Sequence, residues 1–182
     1  MAFLIIVLAL LGGAACRRLN NTVEDTVKES SSLPSCPVCG IHTWVQIGNN
    51  CYQVFGNPLT FSSAEVFCRA HVRGGRLASI HSASDNDELR KLMKSSTSRA
   101  WFGGIHLHAE KQFIWSDGSE FNYQNWAPGE PNKWAGKELC MEMYGNGQWN
   151  DLSCDQKQPF ICQYRMTALE LQKAAELPEN HA

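Results

Sequence analysis

The sequence lacks any apolar run long enough to cross a bilayer, which takes about 20 residues. Its longest, FLIIVLALL at Phe3–Leu11, is short and is followed by the small residues GGAA. That pattern is a secretory leader and its cleavage site. Residues 1–16 are therefore expected to be a signal peptide cut after Ala15 or Cys16, and a membrane-spanning chain is not expected. An excess of charge of one sign is missing too: 16 Lys and Arg stand against 18 Asp and Glu, a formal net charge of -2. A nucleic-acid or polybasic membrane partner normally leaves a basic stripe, so this balance argues against both. Cys36-Pro-Val-Cys39 has no second Cys-x-x-Cys or Cys/His pair to complete a four-ligand zinc site. No nucleophile–base pair or phosphate-binding loop stands out, and an enzyme is not expected. What is abundant is cysteine. Cys16, Cys36, Cys39, Cys51, Cys68, Cys140, Cys154 and Cys162 read, in a secreted chain, as a disulfide framework.

A chain of 182 residues is enough for one domain with its own core. Arg17–Ser35 is polar and Ser-rich, so 17–35 is expected to be a flexible arm. Asn20-Asn21-Thr22 within it is a sequon, which makes Asn20 a glycosylation candidate. Trp44–Ile47 and Cys51–Phe55 read as strands joined by a turn at Gly48–Asn50. Thr60–Ala70 reads as a helix capped by Thr60 or Ser62, with Ser62 and Glu65 in a capping-box pattern and Ala64, Phe67 and Cys68 facing the core. Ser84–Met93 reads as a second helix, capped by Ser84 and Asp87, with Leu89, Leu92 and Met93 on one face. Ala100–Asp155 is rich in Trp, Gly, Asn and Pro, with strand candidates in FGGIHL, QFIWS and CMEMY; a long turn-rich stretch of this kind is usually a functional loop. FICQY at Phe160–Tyr164 is a closing strand, and Thr167–Leu177 is a short helix or a fraying tail. Helices first and strands and loops afterwards imply an α+β domain.

Four motifs then fall in a familiar order. Trp101-Phe102-Gly103-Gly104, Trp149-Asn150-Asp151 and Phe160-Ile161-Cys162 resemble the signature strands of the C-type lectin-like domain, and Glu130-Pro131-Asn132 resembles that family's sugar-site tripeptide. The resemblance covers Cys36 to Tyr164, so 36–165 is expected to be the domain and 166–182 a C-terminal tail. The single-domain form is similar to soluble and mucus lectins of fishes. The resemblance implies the pairs Cys68–Cys162 and Cys140–Cys154. It also implies an extra N-terminal pair that marks the long form of the domain, with Cys51 as one half and Cys39 or Cys36 as the other. Cys39 is nearer the spacing expected before the Trp44 strand. That leaves Cys36 as a candidate for a bond between chains, and hence a disulfide-linked homodimer.

The resemblance further implies a calcium site made of Glu130, Asn132, Glu138, Asn150 and Asp151, because calcium takes six to eight oxygen ligands and these side chains supply them from two segments. Pro131 would follow a cis peptide that turns both flanking side chains toward the metal. The same five residues, with Trp134, would hold a glycan. Glu130/Asn132 and Glu138/Asn150 would act as two acid–amide couples on neighbouring sugar hydroxyls. Glu-Pro-Asn implies a mannose-type preference. Trp134 stands where galactose-binding relatives place a stacking aromatic, so a galactose- or lactose-binding lectin is the alternative. A non-sugar ice- or protein-binding member of the fold is the further rival. One Ca2+ is expected, since Lys133 and Leu139 stand where relatives with a second ion have acids. Ile105-His106-Leu107-His108 alternates, putting both histidines on one face; without a third ligand a solvated strand face is expected there. His71 and His81 stand alone, and Trp115 and Trp126 are expected to be packing residues.

Overall fold

Strand β1 (Val45–Ile47) turns at Gly48 into the long strand β2 (Asn50–Leu59). Helix α1 (Phe61–His71), the short β3 (Arg76–Leu77) and helix α2 (Ala83–Lys94) follow. Then come β4 (Arg99–Leu107) and β5 (Gln112–Trp115), a long loop with one 3-10 turn at Trp134–Gly136, β6 (Glu138–Tyr144), β7 (Trp149–Ser153), β8 (Gln158–Arg165) and α3 (Ala168–Ala175). The computed structural model describes Cys39 and residues 43–94 and 97–176. These belong to one compact unit, Pro37–Ala182. The expected leader, arm, Asn20, Cys16 and Cys36 lie outside the described residues. The sheet runs β1-β2-β8-β4-β6-β7, with β3 on β8 and β5 on β4. The fold is α+β.

Period-two alternation divides the core. Along β8, Phe160, Cys162 and Tyr164 join a cluster with Phe61, Ala64 and Cys68 of α1, while Ile161 joins another with Leu89 and Met93 of α2. Along β4, Trp101 enters the first cluster and Ala100 and Phe102 the second. Gly103 and Gly104 follow because the chain there has no room for a side chain. A Cβ at Gly103 would come 2.8 Å from the Leu77 carbonyl oxygen, and one at Gly104 would run into the Met141 side chain. Disulfides Cys39–Cys51 and Cys68–Cys162 tie the chain ahead of β1 to β2, and α1 to β8.

Two helix starts differ from expectation. Thr60 caps α1 by accepting from the Ser63 N–H, but Glu65 completes no capping box. It is buried, accepting from Arg69 Nε at 2.8 Å, Arg76 Nη1 at 3.2 Å and the Leu77 N–H at 2.8 Å. A partner on β3 is stronger than the local cap because it satisfies a buried backbone donor. At α2 the cap is Ser82, whose Oγ accepts from the Asp85 N–H at 3.0 Å, while Asp87 pairs with Arg90. Between the expected strands, β2 and β4 run longer, β3 joins β8, and β7 closes the edge. At the C-terminal end Thr167 and Glu170 form the capping box that starts α3.

A polar network pins the segment after β5 to β8. Asp117 Oδ2 accepts from Ser79 Oγ at 2.6 Å and from Gln163 Nε2 at 2.7 Å, and Oδ1 accepts from Ser119. His81 joins through Ser79 and Asn122. Burial pushes the Asp117 carboxyl up, but the Ser119 and Ser79 hydrogen bonds and nearby His81 outweigh it, and the group stays below its ordinary 3.8. Asp117→Ala should cost about 1–3 kcal/mol near neutrality, since buried Ser79 and Gln163 lose their acceptor. With the folded value lowered, the ionised group's stabilisation is present above the ordinary value and is lost as pH falls through the folded one. Urea midpoints near neutrality and at about pH 2.5 check this. The parent should lose more stability on acidification than the variant, and equal losses would remove Asp117 from the acid response.

Candidate functional site

The candidate ligands sit on the β6–β7 edge and the loop before it. Register pairs Glu138 with Ser153, Cys140 with Leu152, Met141 with Asp151, Glu142 with Asn150 and Met143 with Trp149. The Cys140–Cys154 disulfide closes this ladder at the end where Glu138 begins. Trp149 anchors the other end. Its indole N–H donates to Asn86 of α2 at 2.7 Å, its backbone N–H donates to the Asn125 carbonyl and its carbonyl accepts from Ala127. The loop 127–137 thus leaves from a fixed point on β7 and returns into β6.

Within that loop the Glu130–Pro131 peptide is cis. Three successive backbone N–H groups then point at acceptors. The Asn132 N–H donates to Glu130 Oε2 and to Asp151 Oδ1, both at 3.0 Å. The Lys133 N–H donates to Asp151 Oδ2 at 2.9 Å. The Trp134 N–H donates to Asn132 Oδ1 at 2.8 Å and to Glu138 Oε2 at 3.0 Å. Asn132 Nδ2 also donates to Glu130 Oε1 at 3.0 Å. Lys133 (φ 50) and Ala135 (φ 55) are left-handed, an uncommon state for residues with a side chain, and the carboxylate contacts on 132–134 hold that winding.

Glu130, Asn132, Glu138 and Asp151 are therefore joined through one string of backbone donors. Asn150 is next to them in sequence but is held differently: its Nδ2 donates to Glu142 Oε1 at 3.0 Å. Of the two expected acid–amide couples, Glu130/Asn132 is a direct hydrogen bond, and Asn150 pairs with Glu142 rather than Glu138. Glu142 was missed from the sequence. It has no exposed surface, and its carboxyl is pushed up by burial, against the Asn150 hydrogen bond and Arg99, whose Nη1 lies 3.6 Å away. The signal available was the single acid inside CMEMY, in phase with Cys140 at the strand's period of two. Trp134 is 70% exposed, so its ring is free to meet a ligand.

The donor set fits an oxygen-seeking divalent cation by its chemistry. Glu130, Glu138 and Asp151 form no ion pair among the described residues, and Asp151 is fully buried. A buried carboxylate needs compensation, which two backbone N–H groups provide in part. The Lys133 ammonium lies 5.8 Å over the Phe113 ring instead. The carboxylates are turned onto backbone donors: among the described residues no three of His, Cys, Asp and Glu converge on a metal position. A cavity of about 770 Å3 lies around Tyr52, Asp117 and Gln163 and includes none of the five candidates. The candidate site is a surface site.

Other expected roles resolve by packing. Trp115 is buried against Phe102 and Trp149, and Trp126 packs on Phe113 and Trp149. His71 stacks on Phe67. The strand face bearing His106 is not solvated as expected: His106 is only 5% exposed because Phe113 of β5 packs on its ring, while His108 is exposed.

Known proteins share this fold. Residues 57–164 match the lectin C-type domain family. A C-type lectin mannose-binding isoform from Oxyuranus scutellatus is 33% identical over 169 residues, 90% of this chain and 98% of its own length. The cow C-type carbohydrate-recognition domain of CD23, solved with a GlcNAc2Man3 oligosaccharide present, superposes with a TM-score of 0.62 at 33% identity, over 69% of this chain and 95% of its own. A calcium-independent type II antifreeze protein superposes with a TM-score of 0.61 at 28% identity, over 68% of this chain and 92% of its own. The chain belongs to the C-type lectin domain family.

Removing the Cys140–Cys154 bridge tests how much the β6–β7 edge depends on it. The cysteines are 14 residues apart. Replacing both by Ser should cost about 3 kcal/mol, the loop-closure entropy of a loop of this size. Urea unfolding of the two proteins checks this, and equal midpoints would show that the ladder alone holds the edge.

Proposed function

We propose that the protein is a secreted, calcium-dependent lectin that binds glycans through Glu130, Asn132, Glu138, Asn150 and Asp151. The observation that carries this is that Glu130, Glu138 and Asp151, three carboxylates without a cationic partner among the described residues, are joined with Asn132 through one string of backbone donors on a disulfide-closed edge. These residues would hold a calcium ion, which when bound would offer two neighbouring sugar hydroxyls a place among its oxygen ligands. The chain's own part is orientation. Glu130 and Glu138 accept from those hydroxyls, Asn132 Nδ2 keeps a second N–H to donate, and Glu142 fixes the Asn150 amide. No group is arranged for catalysis in this reading. Binding at one shallow site is weak, so several sites must act together. A disulfide-linked homodimer through Cys36 would supply them. The leader 1–16, the three disulfides among the described residues and a sequon at Asn20 support a secreted glycoprotein; microbial or mucosal glycans, bound in innate immunity, are the targets this reading assigns it.

Glu130-Pro131-Asn132 and the mannose-binding relative favour mannose-type sugars. A second reading rests on Trp134, whose exposed ring can stack on the apolar face of galactose. The antifreeze neighbour keeps a non-sugar role in view as the rival on the same fold. Glycan binding should vanish in EDTA and return with calcium, and free mannose should inhibit it better than lactose. Inhibition by lactose alone, abolished in Trp134→Ala, would transfer the assignment to galactose. Undiminished binding in EDTA would reject the calcium mechanism.

Glu142 gives an independent check. Glu142→Ala should weaken calcium binding by about tenfold by releasing the Asn150 amide. Glu142→Gln, which keeps an acceptor oxygen, should stay closer to the parent. Calorimetric calcium titrations of both variants measure this, and an unchanged Glu142→Ala affinity would detach Asn150 from the ligand set.

A further inference from the structure

Beside the candidate loop lies a cavity of about 250 Å3 lined by His106, His108, Lys111, Lys133, Gly136 and Leu139. Its position is set by the chain. Lys133 directly follows Asn132, and Leu139 directly follows Glu138, so two of its walls are the immediate neighbours of two proposed ligands. His106 forms part of the wall from β4. It is only 5% exposed, and no hydrogen bond closes on either ring nitrogen, although the Lys111 backbone is near enough to raise the ring's proton affinity. Its ring centroid is 6.3 Å from that of His108 and 4.9 Å from that of Phe113. Neither Lys111 nor Lys133 makes an ion pair among the described residues.

These groups select a ligand class. A metal cation is disfavoured: two lysines line the cavity and no carboxylate does. Burial pushes the His106 ring's proton affinity down, and the charges of Lys133 and His108 push the same way, so the ring favours its neutral form with one N–H to donate. A buried donor beside two lysines that make no ion pair among the described residues suits an anionic oxygen cluster. We propose that this cavity is a subsite for an acidic substituent, a sulfate ester or a carboxylate, carried by the glycan. The proposal rests on the reading of the adjacent loop as the sugar site. Lys111 and Lys133 supply charge at the rim, His106 donates from the wall, and Leu139 and Gly136 shape an apolar side that excludes water. The protein would then prefer acidic glycans to their neutral parents.

The test uses the full chain in two arms. In the first, histidine ring resonances are followed by NMR without calcium, at constant ionic strength, while sodium sulfate or the methyl glycoside of N-acetylneuraminic acid is added. Saturable shifts of the His106 and His108 signals are expected, lost in Lys111→Met and kept in Lys111→Arg. In the second, with calcium, binding to a neutral glycan is compared with binding to its sulfated and sialylated forms. At least one acidic form should bind about fivefold more tightly, the scale of a partly exposed charge pair. Lys111→Met should remove that preference without changing binding of the neutral form. A preference for one acidic form identifies sulfate or carboxylate as the substituent. Absence of saturable histidine shifts, or equal binding of neutral and acidic glycans, overturns the subsite and leaves the lectin reading standing. Failure of every glycan to bind with calcium overturns the lectin reading and with it the glycan as carrier of the anion.

Discussion

The Asp151 carboxylate is fully buried, has no ion-pair partner among the described residues, and accepts the N–H groups of Asn132 and Lys133. Burying such a charge is tolerable only where donors surround it. The chain at 130–134 is wound to provide them, at the expense of two left-handed side-chain-bearing residues, Lys133 and Ala135. The same winding sets Asn132 and Glu138 around the next N–H group, that of Trp134, while Glu130 accepts from Asn132. The site thus follows from one electrostatic demand on β7.

The rest of the domain keeps β7 where that demand can be met. Trp149, one residue before Asn150, is buried and held by Asn86 of α2, and Asn86 also donates to the Gly147 carbonyl at 3.0 Å. Phe102, Trp115 and Trp126 pack around the Trp149 ring. The second core cluster is in this sense the foundation of the loop, and the first, with Cys68–Cys162, ties α1 to β8 at the centre of the sheet. Activity located on a loop over a rigid edge is a common division of labour in small folds.

Much of this was legible in the sequence because its signals are local or periodic. Phe160-Ile161-Cys162 alternates between two cores as a strand with both faces covered must. The candidate site was reached through the resemblance of Glu130-Pro131-Asn132 and Trp149-Asn150-Asp151 to the family's motifs. What the sequence hid are partnerships made across the fold. Glu65 reads as a capping-box residue until the Leu77 N–H arrives from β3 to claim it. Glu142 is one residue of the strand candidate CMEMY until register sets it opposite Asn150. The burial of His106 depends on Phe113 folding back from β5, and no property of IHLH alone announces it.

The central claim is that the carboxylates of the 130–138 loop and Asp151 form one ion site. A calorimetric calcium titration of the intact chain tests it most directly. The account predicts one ion per chain with a Kd on the order of 0.1–1 mM, the range of extracellular calcium modules, and no measurable heat in Glu138→Gln. Two equivalent ions, or undiminished binding in Glu138→Gln, would contradict it.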